Sequence, residues 1–266
     1  MKLQTALILI QLLAFFPVWI WYCDRLFDGS DEPWGLIAAV TAVAFMWLRE
    51  TATGEAKLRL GMPTALTLLY AMSVPVAPKL VQAGLAVIAA GSLWNTCRVR
   101  NPVNLPLFGL LLLSLPVIPS LQFYLGYPMR IAAGSIAAPL LQLSGLSVCL
   151  EGTCLRWGTE LVSIDAPCAG VRMLWAGMFL AFTAAWWIRL GPLGTISAVM
   201  ISLIGIVLAN AMRASALFYV ESGLVAAPQW AHDFVGVLVF SCTAIVLMSL
   251  SFGMRGWTTC DPRTRS

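Results

Sequence analysis

About eight apolar runs follow one another along this 266-residue chain, each close to the length that crosses a lipid bilayer, with the charges gathered in short gaps between them. A helix rises about 1.5 Å per residue, so roughly 20 residues cover the ~30 Å hydrocarbon layer. The runs are 3–23, 34–49, 62–77, 80–96, 104–124, 168–188, 193–213 and 232–252. Pro75 and Pro78 mark a turn between the third and fourth, and Leu190–Gly194 a tight turn between the sixth and seventh. Charged residues make up 11% of the chain and apolar ones 60%, with a mean hydropathy of +0.86. A water-soluble domain carries roughly 25% charged residues, so lipid rather than water is the solvent here. The fold class this predicts is all-α and polytopic. Lys2 followed by the run Leu3–Tyr22 exceeds a signal-peptide core, and no small-x-small site closes it, so it reads as the first membrane helix.

Charge in the gaps orients the spans. Arg49, Lys57 and Arg59 follow the second run, Arg98 and Arg100 the fourth, Arg189 the sixth, and Arg255, Arg263 and Arg265 the eighth. Asp24, Asp28, Asp31, Glu32, Glu151, Glu160, Asp165, Glu221 and Asp233 fall on the other side. Positive residues stay cytoplasmic, which predicts a multi-pass protein of the cytoplasmic membrane with both termini inside. The chain reads as one domain, 1–266: N-terminal spans 1–125, an extracytoplasmic segment 126–167, a three-helix core 168–252 and a cytoplasmic tail 253–266. Its charges lie in loops rather than in a patch, so no nucleic-acid partner is expected. The only histidine is His232 and there is no CxxC pair, so neither a metal nor a cofactor is expected.

Segment 126–167 is the one sizeable piece outside the predicted bilayer. Met129–Leu143 is apolar but carries Arg130 and Gln142, and a crossing there would invert every later loop, so an interfacial helix is expected. Val148–Trp157 reads as a short β-hairpin turning at Glu151-Gly152, with Cys149 opposite Cys154 as a non-hydrogen-bonded pair. That register allows a disulfide, and two free thiols fit the sequence equally well.

Three polar side chains share the predicted outer end of the last helices. Cys168 opens the sixth run behind Pro167, Arg213 closes the seventh, and His232 opens the eighth. A thiol at a helix start beside a cation gains thiolate character, an imidazole exchanges protons near neutrality, and a guanidinium is a permanent donor. Together they make a nucleophile, an acid/base and an oxyanion stabiliser. Each has a plainer explanation on its own: a small core cysteine, an arginine snorkelling to phosphate, a polar anchor.

At these residues the chain resembles the exosortase/archaeosortase family of membrane cysteine transpeptidases, whose motifs are A-C-S-G-[LIV]-R, N-x-x-R and H-x-x-x-G in that order. Here they read Pro167-Cys168-Ala169-Gly170-Val171-Arg172, Asn210-Ala211-Met212-Arg213 and His232-Asp233-Phe234-Val235-Gly236. Ala169 stands where the family commonly has Ser. The likeness covers roughly residues 104–252, the earlier spans matching only as apolar helices. It implies that Cys168 forms a thioester, Arg213 holds the oxyanion and His232 protonates the leaving amine. The implied substrates are exported proteins ending in a short motif, a transmembrane helix and a basic cluster, cleaved at the extracytoplasmic face and passed to an amine or to water. Asn210 would orient Arg213 from one turn away, Arg172 would either stabilise the thiolate or form a structural ion pair, and Gly170 and Gly236 would let helix backbones approach.

Three other readings compete. A transporter would line a solute path with Asn210, Arg213 and His232; a membrane acyltransferase would carry a lipid thioester on Cys168; an assembly factor would keep these residues for packing.

Overall fold

A computed structural model describes residues 2–27, 34–48, 59–99, 103–228 and 230–254. The chain divides into two compact units, the first ending at Val117 and the second beginning at Ile118. The predicted anchors Asp28, Asp31, Glu32, Arg49, Lys57, Arg100, Arg255, Arg263 and Arg265 lie outside the described residues.

The first unit holds α1 (Lys2–Ala14), α2 (Phe16–Phe27), α3 (Trp34–Leu48), α4 (Gly61–Ser73), α5 (Lys79–Val99) and α6 (Leu105–Leu113). Pro17 has no N–H to give the preceding turn, and α1 and α2 meet at 60° around Phe15. Phe15 is fully buried there, edge-on to Tyr70 at 4.7 Å. The expected turn at Pro75 and Pro78 lies between α4 and α5. Gln82 closes it by donating to the carbonyls of Val74 (3.3 Å) and Ala77 (2.8 Å), acceptors that the helix end leaves open.

In the second unit, α7 (Ile118–Leu143) is followed by β1 (Val148–Glu151), β2 (Cys154–Trp157) and β3 (Glu160–Ser163). A 3-10 turn (Ala166–Ala169) then leads into α8 (Val171–Trp187), α9 (Pro192–Glu221) and α10 (Ala231–Gly253). α7, α8 and α10 all pack on α9. The sheet sits at the end where α7 and α9 finish and α8 and α10 begin; there Val148, Leu155, Val162 and Ile164 close over Ala137, Ala138, Leu141 and Phe218.

Among the described residues, α5, α9 and α10 are each long and apolar enough to cross a membrane. Two interrupted pairs, α1 with α2 and α6 with α7, raise the number to five. The chain is thus mostly helical, with a small sheet and, among the described residues, three to five candidate spans by length and composition.

Three local expectations are corrected. The run 104–124 and the interfacial helix Met129–Leu143 are not the elements that form: α6 ends at Leu113, and one 26-residue helix runs from Ile118 through Leu143. That helix is about 39 Å long, enough to cross, and Pro128 and Pro139 do not end it. The reason is a stripe of small residues, with Gly126, Ala133, Gly134, Ala137, Ala138 and Leu141 buried along one face. Packing along that stripe holds the helix through its missing donors.

The hairpin is the second correction, because it is part of a three-stranded antiparallel sheet in the order β1-β2-β3. Gly152 (φ +59°) and Gly158 (φ +60°) each take the first place of a two-residue loop. Glycine at that place lets the chain reverse with the twist of the strands. The third is register: Cys149 lies opposite Arg156, and Cys154 opposite Glu151. Cys149 and Cys154 are therefore diagonal rather than directly opposed, and both are free thiols. The other diagonal is taken by the Arg156–Glu151 ion pair at 2.9 Å.

Candidate functional site

Cys168 does not start a helix. It lies in the 3-10 turn, where its N–H donates to the Asp165 carbonyl (2.9 Å), and Ser163 Oγ donates to the Asp165 side chain. Gly170 ends the turn in the left-handed region at φ +79° and hands the chain to α8, whose first backbone bond runs from Leu174 N to the Gly170 carbonyl (2.8 Å). A side chain at 170 would be strained by that backbone angle, and its Cβ would come within 2.6 Å of Asn210 Cγ.

Asn210 fills the space that Gly170 leaves. It is 2% exposed, and its Nδ2 donates to the Cys168 carbonyl at 3.2 Å, while its Oδ1 is buried without a partner. Asn210 therefore contacts the backbone of Cys168, a contact the expectation that it orients Arg213 does not contain. Arg213 is not at a helix end either. α9 continues two turns past it, because residues 214–221 contain no breaker and Leu217 and Phe218 are buried at the sheet end of the bundle. From the helix interior the Arg213 Nη2 reaches Cys168 Sγ at 4.0 Å. Gly236 makes this possible, since a Cβ there would meet Arg213 Nε at 3.2 Å. Both glycines thus make room for a functional side chain rather than for a neighbouring backbone.

His232, in the first turn of α10, brings Nε2 to 3.6 Å from Cys168 Sγ. The same nitrogen lies 3.7 Å from Glu221 Oε1, and Nδ1 lies 3.6 Å from Asp233 Oδ1. Cys168, Arg213 and His232, far apart in sequence, thus meet within about 4 Å of one sulfur. Arg172 occupies an exposed position on α8, and the cation that acts on Cys168 is Arg213.

Burial pushes the Cys168 thiol above its ordinary range; Arg213 pulls it back down, and Glu221 and Asp165 push it up again. The helix-start argument points the other way and is corrected here. α8 begins only at Val171, and the sulfur is half-buried against the cluster under the sheet. A thiol so raised could act as a nucleophile only with a base within reach, and His232 Nε2 stands 3.6 Å from the sulfur.

Glu221 was legible only as a loop charge, yet it belongs to this site. Its signal is position: Asn210, Arg213 and Glu221 lie on one mostly apolar stretch of α9, with Arg213 and Glu221 its two charged residues. Eleven residues separate the first from the last, about three full turns, which puts them on nearly the same face. Among the described residues, no group of three or more His, Cys, Asp or Glu is arranged to hold a metal ion.

Comparison with known proteins yields one family. The model described as Transmembrane exosortase (Exosortase_EpsH) matches residues 4–249, so the match takes in the N-terminal helices as well as the motif-bearing half. No curated protein and no solved structure matches the chain.

Proposed function

The chain belongs to the transmembrane exosortase family, and from that premise we propose that it is a membrane cysteine transpeptidase or endopeptidase. Its substrates are exported proteins that end in a short recognition motif, a transmembrane helix and a basic cluster. The observation that supports this reading is one sulfur, Cys168 Sγ, flanked by His232 Nε2 at 3.6 Å and Arg213 Nη2 at 4.0 Å.

The chemistry follows from these positions. His232 takes the thiol proton, and Sγ forms a bond to a backbone carbonyl carbon of the substrate as the carbonyl electron pair moves onto oxygen. Arg213, fixed by the space at Gly236, donates to that oxyanion. Collapse restores the carbonyl and breaks the C–N bond, and His232 delivers its proton to the departing nitrogen. The products are a thioester on Cys168 and a C-terminal fragment with a new amino group. An acceptor amine or water then adds to the thioester, and the sulfur leaves and regains its proton. Asn210 holds the Cys168 carbonyl through this cycle, so the sulfur keeps its height above Arg213. No step needs a metal or an organic cofactor.

The site is assigned to the extracytoplasmic face of the cytoplasmic membrane. Arg189 stands at the α8–α9 turn, the bundle end away from Cys168, while Glu160, Asp165, Glu221 and Asp233 gather at the site end, where the sheet's Arg156 is ion-paired with Glu151. That asymmetry agrees with retention of positive loops in the cytoplasm.

Cys168→Ala, Arg213→Ala and His232→Ala, expressed in the native host, should insert normally yet leave a tail-anchored substrate uncleaved. Loss of one oxyanion donor typically lowers turnover by roughly 10²–10³-fold, which is the drop expected for Arg213→Ala. Mass spectrometry of wild-type Cys168 should find a peptide thioester. Undiminished processing by Cys168→Ala, or a fatty-acyl group on the sulfur, would end this reading.

A further inference from the structure

The three-stranded sheet has two edges, and the fold treats them differently. On β1 the edge is half closed: Val148 N donates to the Leu146 carbonyl (2.9 Å) and Gln142 Nε2 donates to the Val148 carbonyl (2.8 Å), which leaves the outward groups of Leu150, on a strand packed against α7. On β3 it is open. Ile164 N donates to the Thr153 carbonyl (2.9 Å), which sets the phase of the β2–β3 ladder. With the register Leu155 to Val162 and Trp157 to Glu160, those pairs exchange bonds, and Leu161 and Ser163 turn their N–H and C=O groups outward. Among the described residues nothing occupies these four groups. Glu160, Leu161 and Ser163 are exposed, and Leu161 is an apolar side chain 57% accessible on that strand.

An unpaired edge invites another strand, and folds normally blunt or cover one. Here the open edge is the strand that leads straight into the nucleophile: Asp165, two residues after Ser163, accepts the Cys168 N–H. We propose that the β3 edge is a strand-pairing site for the extended peptide segment that Cys168 cleaves. The inference rests on the function proposed above. The residues upstream of the attacked carbonyl lie along Leu161 and Ser163 and run toward the sulfur. Main-chain bonds at alternate peptide residues set the height at which the carbonyl arrives. An edge with only two outward-facing residues is too short to join two copies of the chain stably, but it is long enough to fix register in a peptide bound elsewhere as well.

The test uses the full chain in host membranes. Leu161→Pro deletes an outward N–H that the sheet itself does not use, a place where proline is tolerated, and the ring blocks a strand from approaching. The peptide thioester on Cys168, quantified by mass spectrometry, should fall severalfold, up to about tenfold, in Leu161→Pro, since one lost bond is worth up to about a decade. Leu161→Ala, which keeps the N–H, should stay within about twofold of wild type. Labelling of Cys168 by a small maleimide, equal in all three, shows that the site is still assembled.

The peptide read from that thioester is then synthesised and N-methylated one residue at a time. Inhibition of processing by these peptides should weaken at every second residue upstream of the cleaved bond. A thioester yield indifferent to Leu161→Pro, or methylation effects with no period of two, overturns the edge proposal while leaving the function standing. A Leu161→Pro chain that acylates normally but loses self-cross-linking assigns the edge to a second copy and also overturns it. Absence of any peptide on wild-type Cys168 overturns the function and the edge together.

Discussion

At Cys168 two opposing influences act on one proton, and burial outweighs the Arg213 guanidinium. The fold therefore holds the thiol proton more tightly than the unfolded chain does. This group's contribution to stability is intact below the ordinary thiol pKa and declines as pH rises through that value toward the raised one. The same shift sets reactivity. With His232→Ala removing the base, alkylation of Cys168 by iodoacetamide should climb about tenfold per pH unit from neutrality and still be rising at about pH 9, above the ordinary thiol midpoint. Glu221→Gln removes a charge that raises the pKa, so its profile should move to lower pH, and Arg213→Ala should move it higher. A midpoint well below 8 in the His232→Ala chain would contradict the burial argument. The three converging residues were legible in the sequence because His232 is the chain's single histidine and because Cys168, Arg213 and His232 fall at ends of successive apolar runs that share one side. The Asn210 bond to the Cys168 carbonyl was not, because it depends on Gly170 adopting φ +79°, a backbone angle no pattern of hydropathy encodes.

Elements were read less well than residues where hydropathy alone had to place their ends. The α9 segment continues past Arg213 because Leu217 and Phe218 find burial at the sheet end of the bundle, a tertiary gain that a span-length rule does not contain. The third strand had a local signal: Gly158-Thr159 repeats Gly152-Thr153 six residues later, so the same loop recurs and a second reversal follows. In α7 the signal was the stripe of small residues, which outranked two prolines. Ala137 is fully buried on that stripe, in the cluster with Val148, Leu155 and Phe218. Ala137→Leu inserts volume where none is free, a change that costs about 1–3 kcal/mol, whereas leucine's helix propensity differs little from alanine's. Thermal unfolding in detergent should fall by several degrees. Leu143→Ala, at a side chain 86% exposed on the same helix, should leave the midpoint nearly unchanged. Equal effects from the two would mean that the stripe is not what holds α7.

On the scale of the whole molecule, all the residues proposed to act on substrate come from the second unit, beginning at Ile118, while the family match begins at residue 4. What the sequence conveys at this scale is the solvent: a chain with 11% charged residues has to sit in lipid. It does not convey the number of crossings, because a helix such as α4 (13 residues) falls short of a bilayer while the run containing it looks long enough. Orientation is the property that the proposed function demands, since its substrates, exported proteins, would be met only outside. The second unit carries the means to test it. Cys149 is an exposed native thiol on β1 at the site end, and Arg189 marks the opposite end at the α8–α9 turn. In a chain whose other cysteines are replaced by Ser, a membrane-impermeant maleimide added to intact cells should label Cys149. A cysteine placed by Arg189→Cys, with Cys149 also replaced, should react only after the membrane is permeabilised. The reverse pattern would put the sulfur of Cys168 in the cytoplasm, where the exported substrate of the proposed reaction cannot present its peptide bond, and would overturn that proposal.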